Sequence, residues 1–192
     1  MKLLFVAAFT LITLASAAQH KIGFSSQNYV GLLEGEQGTK FQIQTINGIK
    51  YKTWFAGLGT GFDWYYRRSI PAFLSLNKDF FKKGNRNFYF AADAGVNFPW
   101  EDDKNYYVSG YTIEKTSPGV YLGAGLGYKI GMGKNNDALL VQLGYSYKHV
   151  REEGKSEIYY YYSYSILPGS EQTTNRFNYY LRRISLKVGW NF

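Results

Sequence analysis

Two histidines and no cysteine leave little for nucleophilic or metal chemistry in this chain of 192 residues. The absence of cysteine removes disulfide frameworks, thiol nucleophiles and thiolate metal sites together. His20 and His149 are too far apart to form a paired-His metal motif, and no Gly-rich phosphate loop adjoins a helical pattern, so no metal site and no cofactor are expected. His149 lies close to Arg151, Glu152 and Glu153 and shares a face with Tyr145 and Tyr147. A lone His near acids at a strand end reads as an interfacial side chain before it reads as a general base, so the chain is not expected to be an enzyme. The remaining chemistry is ionic. Asp63, Asp93, Lys129, Lys148, Arg183 and Lys187 fall inside apolar-patterned segments, where charges must pair with one another or meet water.

The segments that position these charges alternate with a period of two. Eight are read, from Gln27 to Glu34, Thr39 to Asn47, Thr53 to Tyr66, Ile70 to Phe81, Asn87 to Phe98, Gly119 to Met132, Ala138 to Glu152 and Phe177 to Phe192. In the third, Trp54, Ala56, Leu58, Thr60, Phe62, Trp64 and Tyr66 oppose Gly57, Gly59, Gly61 and Asp63. In the sixth, Val120, Leu122, Ala124, Leu126, Tyr128, Ile130 and Met132 oppose Gly123, Gly125, Gly127, Lys129 and Gly131. Small and charged residues thus share one face, and large apolar residues the other. Aromatic residues at 19% and 21 glycines fit an all-β chain.

Two closed barrels share this alternation. A soluble lipocalin-like barrel turns its apolar face inward, where large side chains must fill it. A membrane barrel turns that face to lipid and keeps polar groups in the lumen. Alternate glycines cannot fill an apolar interior, and the six charges can be mutual partners in a lumen, which selects the membrane barrel.

Aromatic spacing gives a length. Trp54 and Trp64, Phe88 and Phe98, and Tyr180 and Trp190 are each ten residues apart on the apolar face. At about 3.3 Å per residue and a tilt of roughly 40°, ten residues rise about 25 Å, the height of a lipid band. Trp54, Phe88, Trp190 and Phe192 then form one interfacial girdle, and Trp64, Phe98, Trp100 and Tyr180 the other.

Short turns at Gly48 to Lys52, Lys82 to Arg86 and Gly133 to Asp137 alternate with connections that include two long ones, Pro99 to Pro118 and Gly154 to Arg176. In the second, Tyr159, Tyr160, Tyr161 and Tyr162 form a run of strong β propensity, so the last hairpin is expected to continue past the membrane as a ribbon. Its tyrosines offer rigid, amphipathic contact area for a surface ligand that the sequence does not name. Residues 1–18 read as a secretory signal peptide, with Lys2, an apolar run from Leu3 to Leu14 and the small residues before Gln19, which leaves 19–192 as one domain. A net charge of +8 without a contiguous basic stripe argues against nucleic acid.

The terminal Ile184 to Phe192 segment, apolar on alternate positions and ending on an aromatic, resembles the closing strand of bacterial outer-membrane β-barrels. The resemblance extends to small eight-stranded OmpA/OmpX-like barrels, of the porin-family type found in Bacteroidetes, without a periplasmic domain after the last strand. It implies an all-β, eight-stranded antiparallel transmembrane β-barrel, an up-and-down meander with short periplasmic turns and two long extracellular loops, in the outer membrane of a Gram-negative bacterium. It implies that Trp190 and Phe192 serve as an assembly signal. Outer-membrane lipid, the barrel-insertion machinery and periplasmic chaperones are the implied partners. A structural or surface-interaction role, adhesion or binding, is expected, with the lumen closed by an ion network. A small channel or ligand carrier and a lipid-modifying enzyme are the alternatives.

Overall fold

Strict alternation along the chain produces ten strands and no helix among the described residues: β1 (Gly23–Gly35), β2 (Lys40–Tyr51), β3 (Trp54–Asp63), β4 (Ser69–Lys83), β5 (Arg86–Pro99), β6 (Tyr106–Val108), β7 (Tyr111–Ser117), β8 (Gly119–Gly131), β9 (Ala138–Tyr160) and β10 (Gly169–Asn191). The computed structural model describes residues 22–100, 106–108, 110–132, 137–160 and 169–192. Residues 1–18, which the sequence reads as a signal peptide, and Tyr161 and Tyr162 lie outside them.

Eight of the strands close a ring in the order β1, β2, β3, β4, β5, β8, β9, β10, every neighbour antiparallel, with β10 returning to β1. The register fixes its geometry. A row of paired residues runs from Gly35 through Arg183, Ser146, Gly123, Asp93, Ser75, Gly57 and Gly48 to Ser25, so one circuit descends β1 by ten residues. With strands about 4.8 Å apart and a rise of about 3.3 Å per residue, that shear tilts the strands by about 40°.

The outward face is apolar. Leu58, Leu74, Leu126, Leu143, Ile184 and Phe90 all stand exposed, while Gln44, Ser75, Asp93, Gln142 and Lys187 are buried inside. A soluble protein would not expose such a band, whereas lipid solvates it. The chain is an eight-stranded antiparallel transmembrane β-barrel.

Large rings complete the interior, which the sequence pattern alone leaves too empty. Tyr29, Phe55, Phe73, Tyr89 and Tyr121 form one buried cluster with Ile46 and Leu140. The inward glycines accommodate these rings. A Cβ on Gly59 would run into the Phe73 ring, and one on Gly127 into that of Tyr89. Glycine on one strand and an aromatic on its neighbour therefore fill the lumen together.

Three features depart from the sequence reading. The connection after Pro99 contains the β6–β7 hairpin, whose second strand pairs with β9 from Thr112↔Lys155 to Ser117↔Arg151. β2 continues through Tyr51 and β4 through Lys83, so their turns shrink to two residues each, with Lys52 and Gly84 at positive φ. Tyr66 does not continue the outward face of β3. Its left-handed backbone, φ 61°, turns it against Tyr179 at the barrel mouth.

The packing makes a direct prediction. Gly127→Val should reduce the free energy of unfolding by about 1–3 kcal/mol through overpacking against Tyr89. Gly23→Ala, where an added Cβ meets nothing within 4 Å, should leave it unchanged. Urea unfolding of the barrel in lipid vesicles reads both.

Candidate functional site: the lumen and the loop end

The lumen is organised as four acid-centred layers, stacked from the end that carries the long connections to the end that carries the two-residue turns. Each acid is paired with one or two cations from another strand or, for Glu152, from the β3–β4 connection, because a carboxylate removed from water needs both a counter-charge and hydrogen bonds.

Asp63, the last residue of β3, anchors the layer below the loop-end mouth. Its carboxylate accepts from Arg183 Nη1 at 2.5 Å and from the Tyr65 backbone N–H at 2.8 Å, and lies 3.5 Å from Lys148 Nζ. Arg183 also donates to Ser146 Oγ at 2.6 Å and lies over the Tyr65 ring. Lys148 donates to the carbonyls of Tyr65 and Arg67, each at 2.9 Å, and to Ser69 Oγ at 2.6 Å. One carboxylate and two cations thereby join β3, β9, β10 and the connection leading into β4.

Above them is a stopper. Leu33, Tyr65, Val150 and Leu181 form a buried apolar cluster, with Tyr66 and Tyr179 packed against it. Arg67 Nε meets the buried Glu152 carboxylate at 3.2 Å. Burial pushes the Tyr66 hydroxyl well above its ordinary range, reinforced by Tyr179 and by the Glu152 carboxylate.

Asp93 on β5 faces Lys187 on β10 at 3.8 Å in the middle layer, and Gln44 donates to the Tyr121 hydroxyl at 2.9 Å. Below it, Asn77 and Tyr29 both donate to Gln27 Oε1, at 2.9 and 3.0 Å, and the hydroxyls of Tyr29 and Tyr89 lie 3.2 Å apart. At the turn end, Asp79 is held between Lys50 at 3.4 Å and Lys129 at 3.6 Å. Rings, amides and ion pairs alternate down the axis.

All six charges expected in the lumen are inside it, but as separate layers. Asp63, Lys148 and Arg183 meet; Asp93 and Lys187 meet; Lys129 joins neither group and pairs with Asp79. Asp79, Lys50, Glu152 and Arg67 are lumenal partners that sequence reasoning missed. Asp79 shares its parity on β4 with Ser75 and Asn77, the signal that could have found it.

The aromatics expected at the interfaces lie at the two ends of the barrel. Trp54, Phe88, Trp190 and Phe192 are exposed on the outer face at the turn end, and Phe98, Trp100 and Tyr180 at the loop end. Trp64 is half-buried there, with its ring 5.9 Å from that of Phe62. Lys78 lies over the Trp54 ring at 4.2 Å, as expected for a cation reaching the interface. A bulge between Phe80 and Lys82 turns Phe81 outward beside Phe88. His149 lies outside the lumen, stacked on Tyr180 at 5.1 Å and 3.3 Å from Asn178 Oδ1. Tyr159 and Tyr160 end β9, the latter paired with Gly169.

Replacing one partner of the buried ionic layers should cost more than replacing the pair. Asp63→Asn leaves Arg183 and Lys148 with no carboxylate and is expected to cost about 3–5 kcal/mol. The triple change Asp63→Leu, Arg183→Met, Lys148→Met should recover most of that loss. Asp79→Asn, at a site 16% exposed, should cost less than Asp63→Asn. Urea unfolding in vesicles ranks the three.

Among solved structures the chain is similar to outer membrane protein AlkL, determined by solid-state NMR in DMPC lipid bilayers, at 12% identity over 91% of this chain and 92% of that one, with a TM-score of 0.48. No protein-family model and no curated protein matches it.

Proposed function

We propose that this chain is an integral outer-membrane barrel that works at the cell surface, with the closed lumen as its anchor and the sheet at the loop end as its binding element. The observation that carries this reading is the length of β9 and β10. Each is 23 residues long, and they pair without a break from Asn191↔Ala138 to Gly169↔Tyr160. Tyr160 lies eleven residues beyond His149, which pairs with Tyr180 of the loop-end girdle. At the rise and tilt above, that carries the hairpin roughly 25 Å past the girdle.

β7 and β6 add to it, giving a four-stranded sheet above the barrel rim. This sheet has its own packing and ion pairs. Ile113 is buried against Gly154, Tyr111 meets Phe177 edge to face at 5.4 Å, Lys155 pairs with Glu114 at 2.7 Å and Arg176 with Glu153 at 3.0 Å. β1 leaves β10 at Gly35↔Arg183, so beyond Arg183 the second edge of β10 has no neighbouring strand among the described residues. A free edge of backbone donors and acceptors on the ribbon that ends β9 at Tyr159 and Tyr160 suits capture of an extended surface partner. The turn end faces the periplasm in this reading, and the barrel-insertion machinery and periplasmic chaperones deliver the chain.

The test is removal of the ribbon. Deleting Tyr159 to Tyr162, or replacing residues 156–173 by a two-residue turn across the Lys155↔Thr174 pair, should leave the heat-dependent electrophoretic shift of the barrel intact and abolish attachment of cells to the surface or protein they otherwise bind. Unchanged attachment, together with conductance that appears in Asp93→Ala or Arg183→Ala, would move the function to a channel. Altered membrane lipid that reverts with His149→Ala would move it to lipid modification.

A further inference from the structure

The outward face is not uniformly apolar. Away from the girdles, the outward positions of β4, β5, β8 and β9 are aliphatic or aromatic throughout. On β10 the exception is Arg182, two residues from Tyr180 and long enough to reach the interface. The exceptions inside the lipid band collect on three adjacent strands: Asn28 on β1, Thr45 and Asn47 on β2, and Thr60 on β3. They are neighbours in space. Asn28, Thr45 and Thr60 form one row across the three strands, and Asn47 pairs with Leu58 next to it. Thr45 donates to Asn28 Oδ1 at 2.9 Å, whereas the exposed Asn47 carboxamide has no hydrogen-bond partner among the described residues. An amide left unsatisfied in hydrocarbon is costly, and small and polar residues are what membrane proteins place where they meet one another.

The shape of this face agrees. Asn47 lines a groove of about 670 Å³ that crosses β2 to β5, floored by Gly48 and Gly57 and kept open by Ala56, Ala92 and Ala94. Leu58 and Leu74 stand over it, 69% and 65% exposed. A ridge and a groove therefore lie side by side on the surface that carries the unpaired amide.

We infer that this face is an interface between two copies of the chain within the membrane. Copies inserted with the same orientation are related by a two-fold axis along the membrane normal, so each residue meets its counterpart at its own depth. A carboxamide carries both donors and an acceptor, so Asn47 is complementary to Asn47 of a second copy. The outward residues of the patch carry no formal charge, and Asp93, which also lines the groove, faces the lumen and pairs with Lys187. A different partner would have to bring a matching amide to the same depth, which a second copy does by construction. This inference is independent of what the loop-end sheet binds.

The chain has no cysteine, so one introduced thiol reports the contact. Leu58→Cys leaves Asn47 in place, and Leu126→Cys on β8 sits at about the same depth on the opposite side of the barrel, by the shear and tilt given above. In lipid nanodiscs large enough for two barrels, mild oxidation is expected to convert Leu58→Cys to a covalent dimer and to leave Leu126→Cys monomeric, since a disulfide needs Cα atoms within about 7 Å. Adding Asn47→Leu, or separately Thr60→Val, should lower the dimer fraction at high lipid ratio, by about tenfold for Asn47→Leu, with the heat-dependent shift of the barrel retained. Equal crosslinking at both positions, or a Leu58→Cys dimer unaffected by both polar replacements, would overturn the inference. So would a Leu58→Cys adduct formed in native membranes only with a protein of different size.

Discussion

The Asp63 carboxylate, shared by Arg183 and Lys148 in a space closed to water, is the interaction on which the upper half of the structure depends. It ties the end of β3 to the two longest strands, and through the Lys148 donors it holds the connection that caps the lumen. Lipid on the outside is the reason it must be so well built. The apolar faces of the strands gain little from one another across a membrane barrel, so specificity of closure comes from the ladders and from what the inner faces exchange. Acids at four depths, each paired with one or two cations from another strand or from the β3–β4 connection, make one shear and one register better than its neighbours. A slip of one residue would turn the lumenal charges of the slipped strand to lipid.

Space inside an eight-stranded barrel imposes the second condition. The circuit of ten residues sets a bore that side chains must fill, and this chain fills it with tyrosine and phenylalanine opposite glycine. Those tyrosines also serve the charges. Arg183 lies over Tyr65, Lys187 over Tyr29 and Lys129 over Tyr89, each between 5.3 and 5.8 Å from the ring centroid, a contact that gains strength away from water. The barrel interior thus has a polar axis packed with aromatic rings, and under the readings proposed above a partner would meet the loop-end sheet or the lipid-facing wall.

Much of this was legible in the residues. Alternation from Trp54 to Trp190 marked the barrel strands, and Asp63, Asp93, Lys129, Lys148, Arg183 and Lys187 stood out because a charge on a glycine-rich face has few other meanings. Asp79, the partner of Lys129, and Lys50, which shares it, did not stand out, because both lie near strand ends where a polar residue reads as part of a turn. The β6–β7 hairpin was hidden for a related reason. Its second strand, Tyr111–Ser117, packs one apolar residue, Ile113, over β9 and has no lipid face to impose alternation. Tyr66 escaped the pattern through a single left-handed residue that no neighbour in the sequence announces. On β2 the mixed outer face, with Phe41, Ile43 and Ile49 beside Thr45 and Asn47, blurred the strand in the sequence and is the same feature that marks the wall as unusual in the structure.

The central claim, a polar closed interior and a lipid-solvated exterior, is tested most directly by electrophoresis in SDS of the chain folded into detergent or lipid, with and without boiling. A closed barrel whose inner layers are intact should resist SDS and migrate differently until heated. A chain that shows no shift, and that stays monomeric and soluble with no detergent, would contradict the account by placing the apolar face inside.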